Sequence, residues 1–476
     1  MTTSQPVHET TNPTRLRANA IGVVGMVCSA VAVTAPLTAI ASNLTISIAF
    51  GAGVATVGVL VLVTAILAAY SVGFVRMSRQ VVNAGAYFAY ITFGLGRRAG
   101  TAAAMCAAFA YNVGVAAMAG AFGFFGSLFL AQYDIAVPWW QLAILAVVGV
   151  WGIAFRGLSI SSRVNGVVAL GECAFLLVLA VAVLLHQPSW DWSMLSASDA
   201  VGGNFGLAFV FCILTFAGFE ASAALGEEAR AARSSVGRAT YISLFLLAFF
   251  FLLGAWTMIA GVPDVVGLAQ QDPGTVLVVV AVTHLGQWVG PLLIAMVTFS
   301  FFAATLALHG LAARYMFSLA REGYLPRKVG TVHRTRQTPA TSGTLQMVIA
   351  LAVLTPFALT GADPLADMAP AIAGVNGLAI ALLMAACCAS IAVAGLRGTL
   401  PGPRWAVVIA PAVSGAALLA CIVVILSDYT GVAGSDSATV VALPWVLVLA
   451  IGYGWVAAGR RRTGSFDLAE MTADAP

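Results

Sequence analysis

The chain has 476 residues, of which 61% are hydrophobic and only 8% charged, whereas a soluble domain is roughly a quarter charged. That balance excludes a soluble enzyme and a nucleic-acid-binding domain, and the net charge of +4 is sorted by side rather than gathered into a patch for a polyanion. Transmembrane β-barrels read as short alternating segments; here the apolar runs are long and continuous, so the expected class is an all-α membrane protein.

A spanning helix takes about 20 mostly apolar residues. In chain order the apolar runs predict twelve spans, at 19–44, 50–75, 99–131, 138–155, 164–186, 203–226, 238–262, 287–318, 341–361, 369–395, 404–427 and 441–459. Residues 1–18 and 460–476 are expected to be cytoplasmic tails, with spans 1–5 grouped in 19–186, spans 6–10 in 203–395, and spans 11–12 in 404–459. Arg15 and Arg17 before an apolar run ending in Ala39-Ile40-Ala41 loosely resemble a cleavable signal peptide. Against that, the run is long and Pro36 interrupts it in the manner of a broken span.

The first span reads Val31-Ala32-Val33-Thr34-Ala35-Pro36-Leu37-Thr38. Proline removes a backbone donor and clashes with the preceding turn, so a break is expected there. Basic residues then punctuate alternate loops: Arg76 and Arg79 after span 2, Arg156 and Arg163 after span 4, Arg230 and Arg233 after span 6, Arg321 to Arg336 after span 8, and Arg397 and Arg404 after span 10. With the N-terminus inside, all 22 Lys and Arg residues fall on the cytoplasmic side. The opposite loops carry only acids, among them Asp134, Asp264, Asp272, Asp363 and Asp428. By the positive-inside rule the protein lies in the plasma (inner) membrane with both termini cytoplasmic. Single cysteines at Ser161 and Thr335, in a background without native cysteines, should therefore resist an impermeant thiol reagent in intact cells; labelling of both from outside would overturn the topology.

Span 5 carries Glu172, and span 6 reads Leu214-Thr215-Phe216-Ala217-Gly218-Phe219-Glu220. A charge near the bilayer centre costs about 2.5–3.5 kcal/mol or more, so such residues usually face a cavity and act there. Glu220 is expected to be a proton-coupling or gating carboxylate, or else a protonated structural hydrogen bonder; the same pair of readings applies to Glu172. Glu227 and Glu228 read as a solvated helix end. Glycine or proline breaks in corresponding spans of two halves point to a site at the midplane. Spans 1–5 and 6–10 are offset by similar lengths, and because five is odd, the second half must be inverted relative to the first. Exposed N–H groups at a half-helix N-terminus can meet an anion, while carbonyls or a carboxylate can meet an ammonium. A zwitterion would satisfy both.

The seven cysteines all fall inside spans without a Cys-x-x-Cys pair, the five histidines are scattered, and Lys328 lacks a phosphate-binding loop. These patterns imply no cofactor, no metal site, no ATPase and no enzymatic nucleophile.

Several stretches resemble the amino acid–polyamine–organocation permeases. They are Ala313-Arg314-Tyr315-Met316-Phe317-Ser318-Leu319-Ala320-Arg321-Glu322-Gly323-Tyr324-Leu325-Pro326 with Thr338-Pro339, Phe216 to Glu220 with Gly226-Glu227-Glu228, and Asn83-Ala84-Gly85-Ala86-Tyr87 with Gly94 and Gly100. The resemblance implies a five-plus-five inverted repeat (LeuT-like) with two additional C-terminal helices, alternating access, and no catalysis. It implies substrate binding by Val33, Thr34, Ala35, Pro36, Phe216, Ala217, Gly218 and Phe219, and ion coupling by Glu220 and Ser300; Glu172 joins them as an ion-coupling candidate on its own intramembrane charge. In many members helix 1 carries Gly-x-Gly where Thr34-Ala35-Pro36 stands here. Glu172 falls where proton-coupled members often carry a lysine, which reverses the charge. The implied function is uptake of an amino acid by proton symport, with an amine or polyamine transporter, or an amino acid exchanger, as alternatives; a non-transporting receptor is a further one. The expected partners are a small amino acid or amine, a coupling proton or sodium ion, and membrane lipid.

Overall fold

The computed structural model describes residues 21–81, 87–156, 158–186, 192–195, 203–220, 222, 232–333 and 338–460. Both tails, the Asn83 to Ala86 part of the span 2–3 motif, Glu227, Glu228, Arg230, Arg334, Thr335 and Arg336 lie outside the described residues. Every regular element among the described residues is helical.

Eleven described helices are long and apolar enough to cross a membrane: Val23–Gly51, Gly53–Gln80, Arg97–Ala131, Trp139–Arg156, Gly166–His186, Ser234–Gly261, Val289–Arg321, Ala340–Thr360, Ala369–Leu396, Trp405–Ser427 and Leu443–Arg460. They are spans 1–5 and 7–12. The remaining span, span 6, is represented by the half-helix Phe205–Thr215, which ends at a turn over 216–220. Span 1 runs further than the apolar pattern predicts, to Gly51, because its outer half is wound in wide π-helical turns at Ile40–Leu44 and Ser47–Gly51. Such turns recur at functional sites. Arg314, expected at the cytoplasmic border, is instead enclosed within span 8, at 7% exposure.

The helix contacts repeat under exchange of each span with the one five later. Span 1 packs on spans 5 and 7; span 6 packs on spans 10 and 2. Span 3 packs on spans 4, 9 and 10, and span 8 on spans 9, 4 and 5. That is the contact pattern of two inverted five-helix halves. Span 11 lies outside the repeat against spans 2 and 10, and span 12 lies against span 3. At the last contact a Cβ on Gly454 would stand 2.8 Å from the Ala102 Cα, so only glycine permits this helix approach.

Spans 1, 7 and 10 are enclosed by other helices, while 4, 9 and 12 turn most of their surface outward. Leu170, Val178, Leu449 and Trp445 are exposed apolar side chains of the kind lipid tails cover. Among the described residues, five α-helices outside the spans were absent from the sequence expectation: Tyr87–Leu95 between spans 2 and 3, Val265–Gln271 and Val276–Leu285 between spans 7 and 8, and Tyr429–Ala433 and Ala438–Val441 between spans 11 and 12. Each is too short to register as a span.

Candidate functional site

The first half of span 1, Val23–Thr34, ends at Ala35, whose φ of 44° and ψ of 80° lie in the left-handed region. That conformation costs a residue with a Cβ roughly 1–2 kcal/mol. Ala35 thus does here what glycine does without strain elsewhere. Pro36 opens the second half, Pro36–Ala39, a position for which its fixed φ is suited. In a continuous helix the carbonyls of Ala32 and Val33 would accept from residues 36 and 37. Pro36 has no N–H, and the Leu37 N–H donates instead to Oε2 of Glu172 at 3.1 Å. Two carbonyls at the break therefore lose their helical donors. The Ala35 carbonyl accepts from the Ala39 N–H at 3.0 Å and the Thr38 hydroxyl at 2.8 Å. Thr34 folds its hydroxyl back onto the Ala30 and Val31 carbonyls.

Glu172 is 2% exposed in the middle of span 5. The fully buried Ser300 hydroxyl of span 8 faces the same carboxyl without closing a well-formed hydrogen bond. Spans 1, 5 and 8 thus meet at one carboxylate. The structure brings Glu172, Ser300 and the first break together.

At the second break, Asn204 caps the half-helix by accepting the Leu207 N–H at 3.0 Å. Its far end then tightens: the Phe216 N–H reaches Ile213, the Ala217 N–H reaches Leu214, and the Phe219 N–H reaches Phe216, all at 3.0–3.1 Å. The Phe219 N–H is thereby diverted from the Thr215 carbonyl. Gly218 has φ 107°, a conformation that favours glycine. Its N–H donates to Oε2 of Glu220 at 3.1 Å, while Oε1 of Glu220 accepts the Tyr111 hydroxyl at 2.8 Å. Phe216 sets its edge against Phe251 of span 7, and Phe219 against Tyr70 of span 2.

The ring cluster around Glu220 was not foreseen from the sequence. Tyr111 stacks on Tyr315 with ring centres 5.2 Å apart, and the hydroxyls of Tyr87, Tyr111 and Tyr315 all lie within interaction range of the Glu220 carboxyl. Tyr87, Tyr315 and Glu220 belong to three separate sequence motifs, one from the span 2–3 segment, one from span 8 and one from span 6. Their convergence was the available signal. Asn376 of span 10 was also missed. It lies beside Gly114 of span 3, and the adjacent Gly377 packs on Val210 and Leu214 of the span 6 half-helix. Its Oδ1 is buried with no hydrogen-bond partner among the described residues.

The chemical sense of both breaks is the same. At each, one of the two intramembrane glutamates accepts a backbone N–H that the break has released, and carbonyl oxygens are left over. A half-helix N-terminus attracts anions, and at the first break the protein's own Glu172 carboxylate occupies it. Among the described residues the buried side-chain atoms near the breaks without a well-formed hydrogen bond include the Asn376 amide oxygen and the hydroxyls of Ser300, Tyr87 and Tyr70, beside the carbonyls that the breaks part from their helical donors. No group of three or more His, Cys, Asp or Glu side chains able to hold a metal occurs among the described residues.

A family model described as amino acid permease matches residues 19–454. The low-affinity putrescine importer PlaP of Escherichia coli strain K12, and the protein of the same name in Escherichia coli O157:H7, are each 22% identical over 225 residues. The match covers 45% of this chain and 49% of each relative, so the chain spans about half the length of the curated relatives it matches. Among solved structures, Mhp1, a nucleobase-cation-symport-1 family transporter in a closed conformation with bromovinylhydantoin bound, superposes with a TM-score of 0.54 at 12% identity. The superposition covers 94% of this chain and 96% of that one, and at that identity it speaks to the fold alone.

Proposed function

The chain belongs to the amino acid permease family and is a membrane transporter of the five-plus-five inverted-repeat fold, and we propose that it imports a small organic amine, as its cation, by alternating access. The observation that carries this reading is the occupation of both breaks. The Leu37 N–H is held by Glu172 and the Gly218 N–H by Glu220, so a substrate carboxylate would have to displace one of them. An ammonium needs no such displacement. It donates to the Ala32, Val33 and Thr215 carbonyls, which the missing Pro36 N–H and the diverted Leu37 and Phe219 N–H groups part from their helical donors, and to the Asn376 oxygen. Val33 to Pro36 and Phe216 to Phe219 then bind through backbone atoms rather than side chains. Glu220, and Glu172 with Ser300, supply the coupling to a proton or another cation that gradient-driven uptake requires.

The amino acid reading is favoured by the description of the matching family. On that reading the substrate carboxylate takes the place of the Glu172 or Glu220 carboxylate on its N–H. Counterflow in proteoliposomes separates the two. Liposomes preloaded with putrescine or ethanolamine should take up labelled amine faster than liposomes preloaded with neutral zwitterions such as alanine. Acceleration by zwitterions alone would overturn the amine reading and establish the other.

A further inference from the structure

We propose that His186 and His284 form a binding site for a divalent transition metal of the zinc class on the outer face, linking span 5 to the loop helix Val276–Leu285. The sequence has five histidines. His8 is in the N-terminal tail, His333 follows span 8 on the arginine-rich side, and His309 lies inside span 8. Only His186, at the last position of span 5, and His284, near the end of Val276–Leu285, fall on the face that carries no Lys or Arg. The fold brings those two rings into contact, with centres 5.4 Å apart and planes at 62°.

The second nitrogen of each ring decides what the pair can do. Nδ1 of His186 lies 2.7 Å from the Ala182 carbonyl, and Nε2 of His284 lies 2.8 Å from the Gly261 carbonyl at the end of span 7. A carbonyl oxygen only accepts, so in each case that nitrogen carries the hydrogen. The lone pair of the neutral ring is then on Nε2 of His186 and on Nδ1 of His284. A histidine whose N–H is fixed by a backbone carbonyl, with its other nitrogen free, is the arrangement that orients metal-bound imidazoles. The spacing agrees. Two imidazoles on one tetrahedral zinc, with bonds of about 2.0–2.1 Å, put their ring centres about 5 Å apart.

Among the described residues the two imidazoles have no third His, Cys, Asp or Glu grouped with them. Asp264, three residues beyond Gly261, is engaged in capping the Gly267 N–H at 2.9 Å. His186 is exposed and His284 partly so, which leaves room for two water molecules to complete a tetrahedral shell. Through the Gly261 carbonyl the site also touches the outer end of span 7. A bound ion therefore fastens three elements on the outer face, where alternating access requires relative movement, and would slow transport.

The test uses the full-length protein, purified with a histidine-free tag and titrated with Zn2+ alone. Calorimetry should show one Zn2+ per chain, and the metal should raise the unfolding temperature. Both effects should disappear in His186→Ala and in His284→Ala. If either variant folds poorly, His186→Gln and His284→Gln, whose amides can still donate to the Ala182 and Gly261 carbonyls but lack the imidazole lone pair, should lose the Zn2+ effect as well. No binding up to about 1 mM Zn2+, or an effect that survives in both alanine variants or in both glutamine variants, overturns the site.

Discussion

Glu220→Gln should abolish gradient-driven accumulation while the protein stays folded and inserted. Glutamine has nearly the size of glutamate, and its amide can keep both contacts of the carboxylate. Its oxygen accepts the Gly218 N–H, and its NH2 donates to the Tyr111 oxygen, because a tyrosine hydroxyl can accept as well as donate. What the amide cannot do is take up and release a proton. A proton descending a gradient of one pH unit carries about 1.4 kcal/mol, which sustains about a tenfold concentration ratio. The variant should forfeit that tenfold ratio in liposomes with an imposed pH gradient, while exchange of substrate without a gradient persists. Undiminished accumulation would refute a proton role for Glu220. Glu220→Ala is a different experiment. It leaves the Tyr111 hydroxyl and the Gly218 N–H buried without a partner, at about 1–3 kcal/mol each, so it should lower stability as well as transport.

The second large effect is expected at Glu172. Its carboxylate joins span 5 to the second half of span 1 through the Leu37 N–H, with the Ser300 hydroxyl facing it from span 8. If this carboxylate balances a coupling cation, transport by the unmodified protein depends on pH or on sodium, and Glu172→Gln flattens whichever dependence exists. The amide oxygen still accepts the Leu37 N–H, so the break keeps its cap and the fold its stability. A variant with the original ion dependence and rate would reduce Glu172 to a structural hydrogen bonder. Glu172→Leu separates charge from capping. It bares a half-helix N-terminus equivalent to about half a positive charge, and on the amine reading it should create affinity for carboxylate-bearing substrates that Glu172→Gln does not acquire. Binding of alanine and putrescine to the two variants, measured by thermal shift, decides between these outcomes.

The sequence by itself determined where the chain crosses the membrane, which helices break, and that Glu172 and Glu220 are acids inside spans, whereas the enclosure of Arg314 came only from the fold. The first three properties are local. An apolar run of span length, an arginine in a loop and a proline at position 36 each act on their own few residues, whatever the rest of the chain does. The wide turns between Ile40 and Gly51 were not legible, because no residue type there compels five-residue turns. Pairings were not legible either. Glu172 and Leu37 are 135 residues apart and Glu220 and Tyr111 are 109 apart, and each contact depends on the rotation of two helices about their axes. Composition does not specify that rotation; packing of the enclosed spans 1, 7 and 10 does. For the same reason an acid that reads as a possible counter-charge for an ion turned out to sit on a backbone N–H, and two histidines that read as scattered turned out to touch. The tertiary structure alone decided that the Leu37 N–H released at the first break is already taken, because only the packed helices bring the Glu172 carboxylate of span 5 to the break of span 1, whereas Glu220 meets the Gly218 N–H within its own span.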